Sequence, residues 1–192
     1  MKIAIQLVLL VAALVIAYFI YDGVQQKIEF KKEAQSRREL VQDRLMDVVK
    51  AQKEFKNEKG RYAANFAELF NFLKTDSLTI VKAIGNVPDT LTEVEAVQQG
   101  IVVRDTSLVP ASTIFPEEYP VDSLDIVPFS KGEKFKMKAG QIEKNKVNVN
   151  VFEAYTTLDK VYKGLSTRSE SVDLDDRLQV GSMNEPITTG NW

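Results

Sequence analysis

Residues Ile3 to Tyr21 read IAIQLVLLVAALVIAYFIY, an apolar run in which Gln6 is the one strongly polar break. A helix that is apolar all round has to be covered on every side, by lipid or by a large core, whereas a soluble surface helix keeps a polar stripe. At about 1.5 Å per residue the run spans about 28 Å, close to the hydrocarbon thickness of a bilayer. Tyr18, Phe19 and Tyr21 stand at its end, where interfacial aromatics belong, and Asp22-Gly23 closes it. A cleaved signal sequence would have a shorter apolar region with a small-x-small site behind it. Here the run is longer, and aromatics occupy those places. The prediction is a retained single-pass anchor over residues 1–22, with membrane lipid as its first partner.

From Val24 to Lys59 there is no proline and no further glycine. Val41, Leu45, Val48 and Phe55 recur at spacings of four, three and seven, the signature of one helical stripe. Leu40 and Val49 widen it. The reading is a single helix over residues 23–59 that leaves the membrane as a polar stalk and acquires, from about Leu40 onward, an apolar face that would pack on the domain. Those four residues are the candidate partner contacts, provided the chain's own sheet does not cover them. Lys27, Lys31, Lys32, Arg37 and Arg38 follow the anchor. They read as a solvated helix surface, with a role at lipid headgroups as the lesser alternative.

Residues 60–192 form the remaining soluble part. Gly60 suits a helix C-cap. Asn65 with Glu68 makes a capping box for a short helix carrying Phe66, Leu69, Phe70 and Leu73. Leu78 to Ile84 reads as a strand, Thr92 with Glu95 as a second capping box opening a short helix that stops at Gly100, and Ile101 to Arg104 as another strand. Pro110, Pro116, Pro120 and Pro128 mark a loop region. Phe135, Met137 and Ala139 alternate with lysines, and Val147, Val149 and Val151 with asparagines. These predict two strands joined across Gly140 to Lys146. One or two helical turns are expected in Leu158–Gly164 and an edge strand at Arg177–Val180. Beyond Ser166 the chain is polar and acidic, and its Gly-Asn-Trp ending reads as either a docking peptide or a frayed end. Helices first and strands second give an α+β fold with a small antiparallel sheet.

Composition narrows the chemistry. The chain has no cysteine and no histidine, which removes disulfides, thiolate nucleophiles, Ser-His-Asp sets and the commonest metal ligand. Net charge is −2, against a general nucleic-acid binder. Asp173, Asp175 and Asp176 cluster but lack the glycine and distal glutamate of a calcium loop. Glu117 and Glu118 are adjacent and do not converge. Tyr119, Tyr155, Tyr162 and Trp192 read as packing residues, and no phosphate-binding glycine loop is present. No enzyme activity and no cofactor are expected.

An apolar helix running into an amphipathic one, then FKNEKGRY with Phe55, Gly60 and Tyr62, then a short helix with Leu69, resembles the N-terminal half of type IV pilins and type II secretion pseudopilins over about residues 3–75. That resemblance implies a long helix with a sheet packed on its second half, a pilin-like fold. Pilin precursors place a basic leader, then Gly, Phe and an acid, at the start of the apolar run. Here there is no such leader, no acid lies within the run, and Gly23 follows it. Pilin-type processing and a buried-acid polymer contact are therefore not expected. The chain is also similar to a set of single-pass envelope proteins of Bacteroidota. The matching segments are RLMDVVKAQKEFKNEKGRYAANFAELFNFLKT, Arg104–Ser107 (RDTS) and Val127–Phe129 (VPF). This likeness implies a bacterial inner-membrane location and no particular activity. The basic residues after the anchor favour a cytoplasmic domain, whereas pilin-like proteins hold theirs outside the cytoplasm; the reading sides with a periplasmic domain. The function expected is a structural or accessory subunit of an envelope assembly (secretion, pilus-like or motor complex), with membrane-complex proteins as partners and homo-oligomers possible. The alternative is a tethered ligand-binding or sensory module, with the Pro110–Pro128 loops as the pocket rim.

Overall fold

The computed structural model describes residues 2–84, 92, 95, 103–166 and 172–192. Helix α1 runs unbroken from Lys2 to Lys59. Its first half is an exposed apolar rod and its second half is the spine of a packed α+β domain. Helix α2 spans Phe66–Thr75. Strands β1 (Ser77–Ile84) and β2 (Val103–Pro110) pair antiparallel as a two-stranded ribbon. Two short 3-10 turns follow, Ala111–Ile114 and Val121–Ser123. Strands β3 (Lys136–Lys144), β4 (Val147–Thr157) and β5 (Arg177–Gly181) form an antiparallel sheet in that order, with a single turn α3 (Leu158–Val161) after β4. This is the pilin-like order of parts, a long helix with a small sheet on its second half.

The join between α1 and the domain is tight. Gly60 takes φ +73° and donates its N–H to the Lys56 carbonyl at 2.8 Å, a helix-ending conformation that costs glycine little. The Asn65 side chain caps α2 by accepting from the Glu68 N–H at 2.9 Å. Glu68 reaches back to the Ala64 N–H, one position before the cap. Phe55 then meets Phe72 edge-on at 5.1 Å, and Tyr62 meets Phe152 of β4 at 4.7 Å. The core thus draws on α1, α2 and the three-stranded sheet together.

Three features differ from the expectations. The β3–β4 connection is a two-residue turn rather than a loop from Gly140. Both strands extend to it, and Asn145 and Lys146 both take positive φ (53° and 65°), as a hairpin turn with the sheet's twist requires. Strand β4 continues to Thr157, well past Val151. The C-terminal segment is not frayed. Asn191 accepts from the Gln179 N–H at 3.0 Å and donates to the Arg177 carbonyl at 2.8 Å. Gly181 N–H binds the Thr189 carbonyl at 3.1 Å. The tail therefore lies along the outer edge of β5 and covers its unpaired groups. The helix expected to open at Thr92 lies outside the described residues apart from its capping pair. There Thr92 N–H donates to Glu95 and Glu95 N–H to the Thr92 hydroxyl.

Candidate interaction surface

The stripe predicted as a partner surface is core. Val41, Leu45 and Val48 are 0% exposed and Phe55 is 2% exposed. A partner could reach none of them without opening the domain, so that reading gives way to an intramolecular role. The buried stripe also begins earlier than the periodicity indicated. Phe30 and Ala34 are buried, with Phe30 edge-on to Tyr162 at 5.8 Å. Spacings of seven through Ala34, Val41, Val48 and Phe55 carried that signal. The stretch with no buried residue between the apolar run and the domain is thus residues 22–29, shorter than the polar stalk expected up to about Leu40, and Tyr21 and Phe30 are separated by about 13 Å of helix rise.

Gln52 is the polar residue that the stripe concealed. It is fully buried. Its amide oxygen accepts from the Ala63 N–H at 2.9 Å and its amide nitrogen donates to the Ala63 carbonyl at 3.0 Å. This side chain serves the backbone at the turn where the chain leaves α1, where no strand or helix partner exists.

Arg37, read as a solvated or headgroup-facing base, is instead a clamp. Its side chain is 15% exposed and pairs with Glu33 at 2.8 Å. Its guanidinium donates to the carbonyls of Val161 and Lys163 at 3.4 and 3.0 Å and lies 4.8 Å from the Phe129 ring centroid. Phe129 sits at φ +64° and is exposed. It occupies a turn position where a β-carbon is disfavoured, held by the Ser130 N–H to the Val127 carbonyl at 3.3 Å.

The proline-rich segment is fastened to α1 in the same way. Lys50 donates to the Ile114 carbonyl at 2.6 Å and Arg44 to the Ser123 carbonyl at 3.1 Å. Tyr119 donates its hydroxyl to Asp47 at 2.5 Å and stacks on Phe115 at 4.3 Å. Burial, and then the Asp47 carboxylate, push the Tyr119 phenol well above its ordinary range. Beside it lies a surface groove of about 410 Å³ lined by Ser112, Thr113, Phe115, Pro116 and Tyr119. Glu117 is the one charged residue that lines the groove.

The other titrating carboxyls that depart from their usual range are all lowered by donors. Arg61 does this to Glu68, the Thr92 backbone and hydroxyl to Glu95, and Lys163 with Lys160 to Glu133. These are surface pairs and caps, which hold shape rather than poise a proton for transfer. Asp173 accepts from the Asp175 N–H and Asp176 from the Arg177 N–H, so both carboxylates serve their own turn. Among the described residues no group of three or more His, Cys, Asp or Glu could hold a metal ion.

The longest exposed apolar stretch is the run of α1 from Ile3 to Tyr21, with Val24 and Ile28 beyond it; the β1–β2 ribbon exposes Ile80 and Leu108, and Leu40, Met46, Phe129, Val147, Ile187 and Trp192 are exposed elsewhere on the surface. Helix α1 is the one helix among the described residues long and apolar enough to cross a membrane. No family model matches the chain, and no curated protein or solved structure matches it either.

Proposed function

We propose that this chain is a membrane-anchored, non-catalytic structural or accessory subunit of a bacterial envelope assembly, with its α+β domain in the periplasm. The observation that carries the reading is the continuity of α1. One 58-residue helix is exposed and apolar in its first part and forms the core of the domain from Phe30 onward. The domain is therefore joined to the anchor by helix rather than by linker, an arrangement suited to positioning a body at fixed height and orientation. The charged side chains of the domain support this reading, since Arg37, Arg44 and Lys50 are spent fastening loops to α1.

The tethered binding module draws its support from the groove beside Tyr119. Its walls are side chains already committed to the domain's own packing, which favours the subunit reading.

Two experiments test the proposal. Tagged full-length protein is purified from native membranes in mild detergent and its companions identified by mass spectrometry. A stoichiometric set of envelope-machine proteins is the expected result, and a partner-free protein would refute the subunit reading. For orientation, Glu185→Cys in this cysteine-free chain places a thiol on an exposed turn. Labelling by an impermeant maleimide in cells with a permeabilised outer membrane is expected. Labelling only after inner-membrane lysis would place the domain in the cytoplasm.

A further inference from the structure

The domain covers one face of α1 only. At 3.6 residues per turn, a seam through Gln6, Leu10, Ala17, Tyr21, Val24 and Ile28 lies about 130° round the helix from the face that carries Phe30, Ala34 and Val41. Val24 and Ile28 lie beyond the anchor run, in the stalk. They are 50% and 53% exposed, on a helix whose neighbouring positions Gln26, Lys27 and Glu29 are polar. Apolar side chains there extend the membrane seam outward for almost two turns, with no part of the described domain reaching them. At the other end, Gln6 puts a carboxamide one turn inside the apolar run, and among the described residues no side chain bonds to it. An amide in hydrocarbon gains by hydrogen-bonding across a helix pair.

We infer that the seam docks a second copy of this chain, as a parallel two-fold helix pair from Gln6 to Ile28. The occupant follows from the symmetry of the groups. The membrane fixes both copies in the same direction and at the same depth, so a two-fold axis brings Gln6 against Gln6. A carboxamide is donor and acceptor at once and therefore pairs with its own copy. Both domains then lie obliquely away from the axis, about 130° round each helix from the contact. Ala17 within the seam and Ala13 beside it let the backbones come close. The contact ends above Ile28, because the same face next presents Gln35 and Glu39, themselves hydrogen-bonded at 2.8 Å. Two copies would set Glu39 against Glu39.

The inference stands apart from the subunit reading, since a pair can form with or without other proteins. It is tested in native membranes of the full chain carrying single cysteines at Val24→Cys, Ile28→Cys, Gln26→Cys or Glu29→Cys. Oxidation is expected to give a band of twice the monomer mass from the first two and little from the last two. Adding Gln6→Leu is expected to lower the Ile28→Cys dimer about threefold or more, the strength of an intramembrane hydrogen bond. Equal cross-linking at all four positions, or none at Val24 and Ile28, would overturn the seam. A band of any other mass would show that a different protein occupies it. An unchanged dimer after Gln6→Leu would refute the amide pair as its determinant.

Discussion

Gln52→Met should cost this domain about 3 kcal/mol although it replaces a polar residue in the core by an apolar one of similar volume. Ala63 is fully buried, and both of its backbone groups bond to the Gln52 amide, at 2.9 and 3.0 Å. Methionine leaves that N–H and that carbonyl without partners. Each unsatisfied buried group costs about 1–3 kcal/mol, so the pair costs about 4 kcal/mol. Returning about 1 kcal/mol for no longer burying the amide leaves about 3 kcal/mol. The cavity contribution is small because the unbranched side chain fills the same slot beside Met137. For a domain of this size, about 3 kcal/mol lowers Tm by about 6–12 °C. The assay is thermal unfolding of the full-length protein in non-ionic detergent, followed by far-ultraviolet circular dichroism. Gln141→Met, an exposed position, serves as the control and should stay close to wild type. If Gln52→Met melts within about 2 °C of wild type, the view that Gln52 is held in the core to satisfy the α1–α2 turn is wrong.

Three further outcomes follow from the packing and the charges. Gly181→Ala places a β-carbon on a residue at φ +70°, directed into the Phe152 carbonyl. It should destabilise by about 3 kcal/mol or more, and a neutral melt would show that β5 can move off β4. The Glu68 carboxyl is held below its ordinary range, first by the Arg61 side chain. Its contribution is therefore complete above the unfolded carboxyl value and lost as pH falls through the lower folded one. Acid unfolding of Arg61→Met should begin at higher pH than in wild type, and coincident acid limbs would refute the pairing. The Tyr119 phenol is raised, so its share of stability is present below about pH 10, the unfolded tyrosine value, and disappears as pH rises through the folded one. Tyr119→Phe should remove from an absorbance titration at 295 nm a tyrosine that ionises above the free phenol value. A titration curve that loses an ordinary tyrosine instead would contradict the Asp47 bond.

The elements legible in the sequence are those whose periodicity is undisturbed. Helix α1 shows its apolar run and its stripe. Strand β3, with Phe135 just before it, shows Met137 and Ala139 against lysines. Strand β4 was readable only to Val151. Beyond it Phe152, Ala154, Tyr155 and Thr156 are all buried, because this part of the strand is covered on both faces and alternation vanishes. The guanidinium of Arg177 lies 4.6 Å from the Tyr155 ring centroid, a cover no spacing rule anticipates. The hairpin turn was placed too early because Asn145-Lys146 lacks the glycine that marks a tight turn. Spacing alone does not separate the two uses of the Val41–Phe55 stripe, packing on the domain and partner contact. A helical stripe shows that one face is covered but not whether the covering atoms belong to the same chain. Val41 to Phe55 are covered by the chain's own helix α2 and sheet. Arg37 looked solvated because its partners are the carbonyls of Val161 and Lys163, more than a hundred residues away in sequence.

The unbroken path of α1 from the apolar run to Phe30 turns residue number into azimuth. Each residue added or removed in the free stretch 22–29 rotates the domain by about 100° about the helix axis and raises or lowers it by about 1.5 Å. A four-residue insertion nearly restores the heading, whereas a two-residue insertion points the domain almost backwards. With a flexible tether such changes would average out. Here the length of eight residues fixes the heading of the domain relative to the apolar run.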